Sequence, residues 1–96
     1  MNRNKNSEII EIANILASEK ENNEIQNFIV EILTEAELET LSKRWRILKM
    51  LKEGRTQREI AQQLNVSLCK VTRGSKILKN KKSISAKYLT KENDNE

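Results

Sequence analysis

Residues 56–79 read TQREIAQQLNVSLCKVTRGSKILK, and the order of their apolar residues leaves little freedom of local fold. Counted from Gln57, places four, eight, ten and fifteen are Ile60, Leu64, Val66 and Val71. The first two share a face of a short helix, Val66 stands in a turn, and Val71 returns on a second helix. Ala61, at place five, is small enough for two helices to cross closely there. The caps agree with this reading. Thr56-x-x-Glu59 is a capping box, in which hydroxyl and carboxylate each accept from an otherwise unpartnered backbone amide. Asn65 stands where the chain must turn, and asparagine tolerates positive φ better than most residues. Ser67 caps the second helix, with Leu68, Val71 and Leu78 available for packing. One place dissents: Gly74 occupies a position where such a motif usually has an apolar side chain. The spacing predicts a helix-turn-helix over about 56–79, a pair that crosses at roughly 90–120° and projects its second helix into a major groove.

The remainder of the chain supports an all-α fold. It has no proline, and its only glycines are Gly54 and Gly74; with few breakers and many Glu, Lys, Leu, Ile and Gln, helices are favoured throughout. Ser7 is expected to cap a helix carrying Ile9, Ile10, Ile12, Ala13, Leu16 and Ala17. The polar stretch from Lys20 to Glu24 interrupts it. A second helix follows with Ile25, Phe28, Ile29, Ile32 and Leu33 at helical spacing. Thr34-x-x-Glu37 is another capping box and opens a five-turn helix whose apolar stripe is Leu38, Leu41, Trp45, Leu48 and Leu51. Gly54 is placed to end that helix in the left-handed conformation. A short helix is expected around Ser83–Leu89. The domain organisation read from this is a disordered segment 1–6, a single helical domain 7–89 and a polar tail 90–96.

Charge is strongly polarised. Residues 1–40 hold three basic and nine acidic residues, net −6, whereas residues 41–91 hold fifteen basic and two acidic, net +13. A half-chain this basic attracts polyanions. The outward positions of the second motif helix, Cys69, Lys70, Thr72, Arg73, Lys76 and Lys79, suit that role, because Thr and Lys address base edges and Lys and Arg neutralise phosphates. The lone Cys69 allows no intrachain disulfide and fits a reducing cytosol. The longest uninterrupted aliphatic or aromatic run, Phe28–Val30, is far too short for a transmembrane helix. Without histidine and with one cysteine, zinc-ligand spacing and Ser-His or Cys-His catalysis are absent. Neither an enzyme nor a metal protein is expected. With one Trp, one Tyr and one Phe, a chain of this size has a modest core, and burying surface against a second copy would stabilise it.

From Leu33 to Lys79 the sequence resembles the bacterial tryptophan repressor family, DNA-binding proteins gated by free tryptophan. The stretches that carry the resemblance are LTEAELETLSKRWRI, TQREIAQQL and above all TRGSKILK. It implies six helices per subunit, an interlocked homodimer, and double-stranded operator DNA as partner. It implies DNA contact by Gln57 and Arg58 at the start of the motif's first helix and by the Leu68–Thr72 stretch. It further implies that Arg44 and Arg73 flank a bound indole, with Arg44 and Thr34 toward the ligand carboxylate. Guanidinium planes stack on aromatic faces and pair with carboxylates. Gly74 would let the backbone approach the ligand closely, and backbone carbonyls near Leu33 would receive its ammonium group. Three departures stand out. Ile77 occupies a place where the family's best-known member has a serine facing that ammonium. Trp45 is bulky beside the pocket helix. The Gly54–Arg55–Thr56 turn is one residue shorter than in tryptophan-binding members and resembles a sister branch not known to need tryptophan.

The sequence is therefore expected to encode a cytoplasmic, homodimeric, sequence-specific transcriptional repressor with L-tryptophan as corepressor and no other cofactor. Two alternatives stay open. One is a constitutive DNA-binding regulator of the same family with no amino-acid corepressor. The other is a helical protein-interaction module with the acidic amino-terminal helices as its binding surface.

Overall fold

The computed structural model describes residues 6–94, and among them it contains six helices and no strand. These are α1 (Ser7–Ser18), α2 (Asn22–Ile32), α3 (Glu35–Lys52), α4 (Gln57–Leu64), α5 (Leu68–Lys79) and α6 (Ile84–Asp94). The expected span 7–89 divides into two compact units, with the boundary after Leu38. Residues 1–5 of the amino-terminal segment expected to be disordered lie outside the described residues.

In the first unit, α1 is capped by Asn6 and not by Ser7 as the sequence suggested. The Asn6 carboxamide oxygen accepts from the amides of Glu8 (2.8 Å) and Ile9 (3.3 Å). Ser7 is instead the first helical residue, its hydroxyl donating to the Glu8 carboxylate at 2.6 Å. No residue of α1 or α2 is buried. Leu16, Ile25 and Phe28 are half-buried, while Ile9, Ile10, Ile15, Val30 and Ile32 remain exposed. The capping box that starts α3 forms as expected. The Thr34 amide donates to the Glu37 carboxylate (2.9 Å) and the Glu37 amide to the Thr34 hydroxyl (3.1 Å).

The second unit holds the core. Ile47 and Met50 of α3, Ile60 and Leu64 of α4 and Val71 of α5 form one buried cluster, with Leu51, Ala61 and Val66 packed against it. Ile60 and Val71 are fully enclosed. The stripe expected on α3 packs in part: Leu48 is buried and Leu51 lies against the cluster. Leu41 is 48% exposed, and Ile47 and Met50, outside that stripe, are in the core. The reason is that α3 is covered from two directions. Ile47, Met50 and Leu51 face the motif helices, while Trp45 packs against Tyr88 of α6, the rings tilted by 56° with centroids 5.8 Å apart. Gly54 has φ +92°. The Gly54 amide donates to the Leu51 carbonyl (3.0 Å) and the Arg55 amide to the Met50 carbonyl (3.2 Å), the paired bonds of a left-handed helix terminator. Helix α6 is capped by the Ser83 hydroxyl, which accepts from the Ala86 amide at 3.0 Å. It runs through Asp94, so residues 90–94 of the expected polar tail are helical. Leu89 is buried.

Candidate nucleic-acid interface and adjoining pocket

The motif helices are built from their caps inward. The Thr56 amide donates to the Glu59 carboxylate (3.0 Å) and the Glu59 amide to the Thr56 hydroxyl (3.2 Å). These bonds from Thr56, with the nearby Arg55 guanidinium, hold the exposed Glu59 carboxyl below its ordinary pKa. Glu59 is the one acidic residue of α4, and α5 has none. Asn65 ends α4 in the left-handed region (φ 55°, ψ 51°). The Val66 amide returns to the Ala61 carbonyl at 3.0 Å. Ser67 then starts α5 by accepting from the Lys70 amide at 3.3 Å.

On this frame Arg58, Leu68, Cys69, Lys70, Arg73, Lys76 and Lys79 are exposed. Leu68, 47% exposed, therefore stands on the outer face and not in the core. Two of the expected DNA contacts are disposed differently. Thr72 and Gln57 are half-buried, and the Thr72 hydroxyl donates to the Gln57 side-chain carbonyl at 2.9 Å. They tie the start of α4 to the middle of α5 and thereby position the second helix.

The other side of α5 faces α3 across a small pocket of about 90 Å³, below the usual range for small-molecule sites. Arg44, Ile47 and Leu48 line it from α3, and Lys70, Arg73, Gly74 and Ile77 from α5. The floor is apolar, three cations surround it, and no carboxylate is among the lining residues. Arg44, Arg73, Gly74 and Ile77 thus come together as the sequence suggested. Leu33 and Thr34 belong to the first unit. The Thr34 amide donates to the Glu37 carboxylate and its hydroxyl accepts from the Glu37 amide. Trp45 is absent from the lining and faces α6.

Gly74 has a structural cause that the sequence did not disclose. A Cβ there would lie 2.9 Å from Ile47 Cγ2 and 3.3 Å from methyls of Leu48 and Leu51. The apolar residue expected at this place is replaced by glycine because side chains of α3 already fill the space. Lys70, Ile47 and Leu48 are pocket residues that sequence reasoning missed. Their signal was present: Lys70 lies three, four and seven residues before Arg73, Gly74 and Ile77. Ile47 and Leu48 follow Arg44 at the same helical intervals.

Two short capped helices, a basic outer face and an acid-free second helix define a helix-turn-helix DNA-binding protein, a regulator of transcription. The family described as Trp repressor protein matches residues 7–93. The chain belongs to that family. No curated protein and no solved structure matches it. Among the described residues no helix is long and apolar enough to cross a membrane, and no group of His, Cys, Asp and Glu is arranged to hold a metal ion.

Proposed function

We propose that the protein is a sequence-specific repressor that binds operator DNA as a homodimer in the cytoplasm, with L-tryptophan as corepressor. The observation that carries this reading is the double use of α5. One side bears the exposed Leu68, Cys69 and Lys76, and another lines the pocket with Lys70, Arg73, Gly74 and Ile77. A planar ligand seated between Arg44 and Arg73 would fix the position of α5 against α3 and so favour the conformer that fits the groove. It would act only through its differential affinity for that conformer. In a dimer the two copies of α5 would reach successive major grooves, at the roughly 34–36 Å separation long established for helix-turn-helix repressors, the tryptophan repressor among them. A dimer is supported by the apolar side chains of α1 and α2, of which Ile9, Ile10, Ile15, Val30 and Ile32 are exposed in the single chain.

The constitutive reading draws on one specific observation. Ile77 and the absence of any lining carboxylate leave a ligand ammonium without a side-chain partner in the pocket. A hydrogen bond to a charged group contributes about 1.5–3 kcal/mol, so its absence weakens tryptophan binding by roughly ten- to a hundredfold. Calorimetry with L-tryptophan, together with duplex binding in its presence and absence, separates the two. Heat of binding and tighter duplex affinity support the corepressor. DNA affinity unchanged by saturating tryptophan supports the constitutive regulator. Absence of any duplex affinity would instead favour a protein-interaction module.

A further inference from the structure

The lysines that follow the motif converge on a feature separate from the pocket. The end of α5, the turn after it and one side of α6 border a wide, shallow groove of about 570 Å³. Lys79, Lys81, Lys87 and Lys91 line it, and no carboxylate among the described side chains does. The groove is held in shape locally. The Asn80 side chain accepts from the Lys82 amide at 2.8 Å, and the Ser83 hydroxyl caps α6. A fifth cation borders it, because Lys52 of α3 donates to the Thr90 hydroxyl on the groove wall at 3.2 Å. Among the described side chains the ion pairs are Lys43–Glu39 and Arg55–Glu53, and no described carboxylate pairs with these five lysines. Like charges four residues apart on a helix, as Lys87 and Lys91 are, destabilise it. A surface lined by one sign of charge attracts extended anions and is relieved of its self-repulsion when one lies against it.

We infer that this groove is a second phosphate-binding surface, which carries the duplex backbone beyond the second motif helix. Two observations select duplex DNA as the occupant. The charge is spread along a groove and not focused at one point, which suits a chain of phosphates. The groove is also continuous with the motif: Lys79 is the last residue of α5 and a wall of the groove. Phosphate contacts of this kind position the protein without reading sequence. The inference rests on the DNA-binding reading above, and its test separates the two.

The test is the salt dependence of binding to a short random-sequence duplex, measured by fluorescence anisotropy on the full chain. Each neutralised phosphate contributes about 0.9 to the slope of log K against log salt. The triple variant Lys81→Gln, Lys87→Gln, Lys91→Gln is expected to lose up to about 2.7 from that slope per subunit. The preference for a selected cognate duplex over the random one should stay unchanged. Lys and Gln have similar helix propensities, so the melting temperature is expected to hold. The single variant Lys87→Gln, with a loss of about 0.9 per subunit, gives the same reading should the triple variant not fold. A slope unaltered in these variants but flattened by Lys76→Gln would overturn the groove while leaving the motif's role intact. A wild-type protein with no duplex affinity would overturn both. A triple variant that loses affinity for vesicles containing phosphatidylglycerol, with its duplex slope unaltered, would assign the groove to a membrane surface and overturn the inference.

Discussion

Gly74→Ala probes the close approach of α5 to α3, and the structure sets its expected size. In an ordinary helix interior this change stabilises by about 0.5–1 kcal/mol, because alanine loses less backbone entropy. Here the new methyl would stand 2.9 Å from Ile47 Cγ2, with methyls of Leu48 and Leu51 at 3.3 Å. Ile47 is 3% exposed, and its Cγ2 sits on the branched Cβ, so it cannot swing aside as a chain end would. Overpacking of this kind costs about 1–3 kcal/mol. Overpacking outweighs the gain in helix propensity, leaving a net loss of about 1 kcal/mol, which lowers the melting temperature by roughly 4–8 °C in a domain of this size. The displaced α5 should also weaken duplex binding. Thermal unfolding followed by circular dichroism measures the first effect. A double-mutant cycle with Ile47→Ala then isolates the clash: the double variant should lose less than the sum of the two single losses. A Gly74→Ala protein more stable than wild type would show that helix propensity wins and that the approach is not close.

Arg58→Ala should weaken cognate duplex binding by about 1–3 kcal/mol if Arg58 pairs with a guanine, leaving random-duplex binding nearly unchanged; equal loss on both would remove its base-reading role. Arg73→Ala should lose both tryptophan and DNA affinity, whereas Arg44→Ala should lose mainly the ligand response, as titration calorimetry and anisotropy would register. Glu59, whose pKa is lowered in the folded protein by Thr56, contributes stability above its unfolded pKa that is lost as pH falls through the lowered value. Glu59→Gln keeps an acceptor for the Thr56 amide but does not titrate, so melting profiles of variant and wild type should converge on acidification below about pH 4.5.

Features legible in the sequence were those whose cause lies within a few residues. Both capping boxes formed, because each needs only Thr and Glu three residues apart. Asn65 took the left-handed conformation where the motif demanded a turn. Where two suitable residues were adjacent, as Asn6 and Ser7 are, propensity did not decide between them. The partly misread stripe on α3 has a different origin. Periodicity assumes one covering surface, and α3 has motif helices on one side and α6 on another. The Gln57–Thr72 bond joins residues fifteen apart across two helices, a distance at which no local pattern speaks. Gly74 was visible as an exception to the motif, but its reason lies in Ile47, Leu48 and Leu51, on a helix whose face had been read differently. Arg44, Arg73, Gly74 and Ile77 were named through the family resemblance, whereas Ile47, Leu48 and Lys70, at helical intervals from them, were not.

The charge of the pocket constrains how a ligand can act there. Lys70 and Arg73 line it while standing on the helix offered to DNA. A ligand with net negative charge would diminish the positive potential of α5 and oppose phosphate binding, whatever it gained by packing. A zwitterion does not. Its carboxylate pairs with the pocket cations, and its ammonium, finding no lining carboxylate, remains at the mouth and restores the charge just neutralised. An aromatic amino acid can therefore order α5 by stacking without weakening its attraction for the duplex. Because coupling between two bound ligands is reciprocal, operator DNA would, under the corepressor reading proposed above, tighten tryptophan by the same factor by which tryptophan tightens DNA. Under the corepressor reading, affinity lost at Ile77 would thereby be recovered in part on the operator, where the α5 conformer that the ligand prefers is already selected.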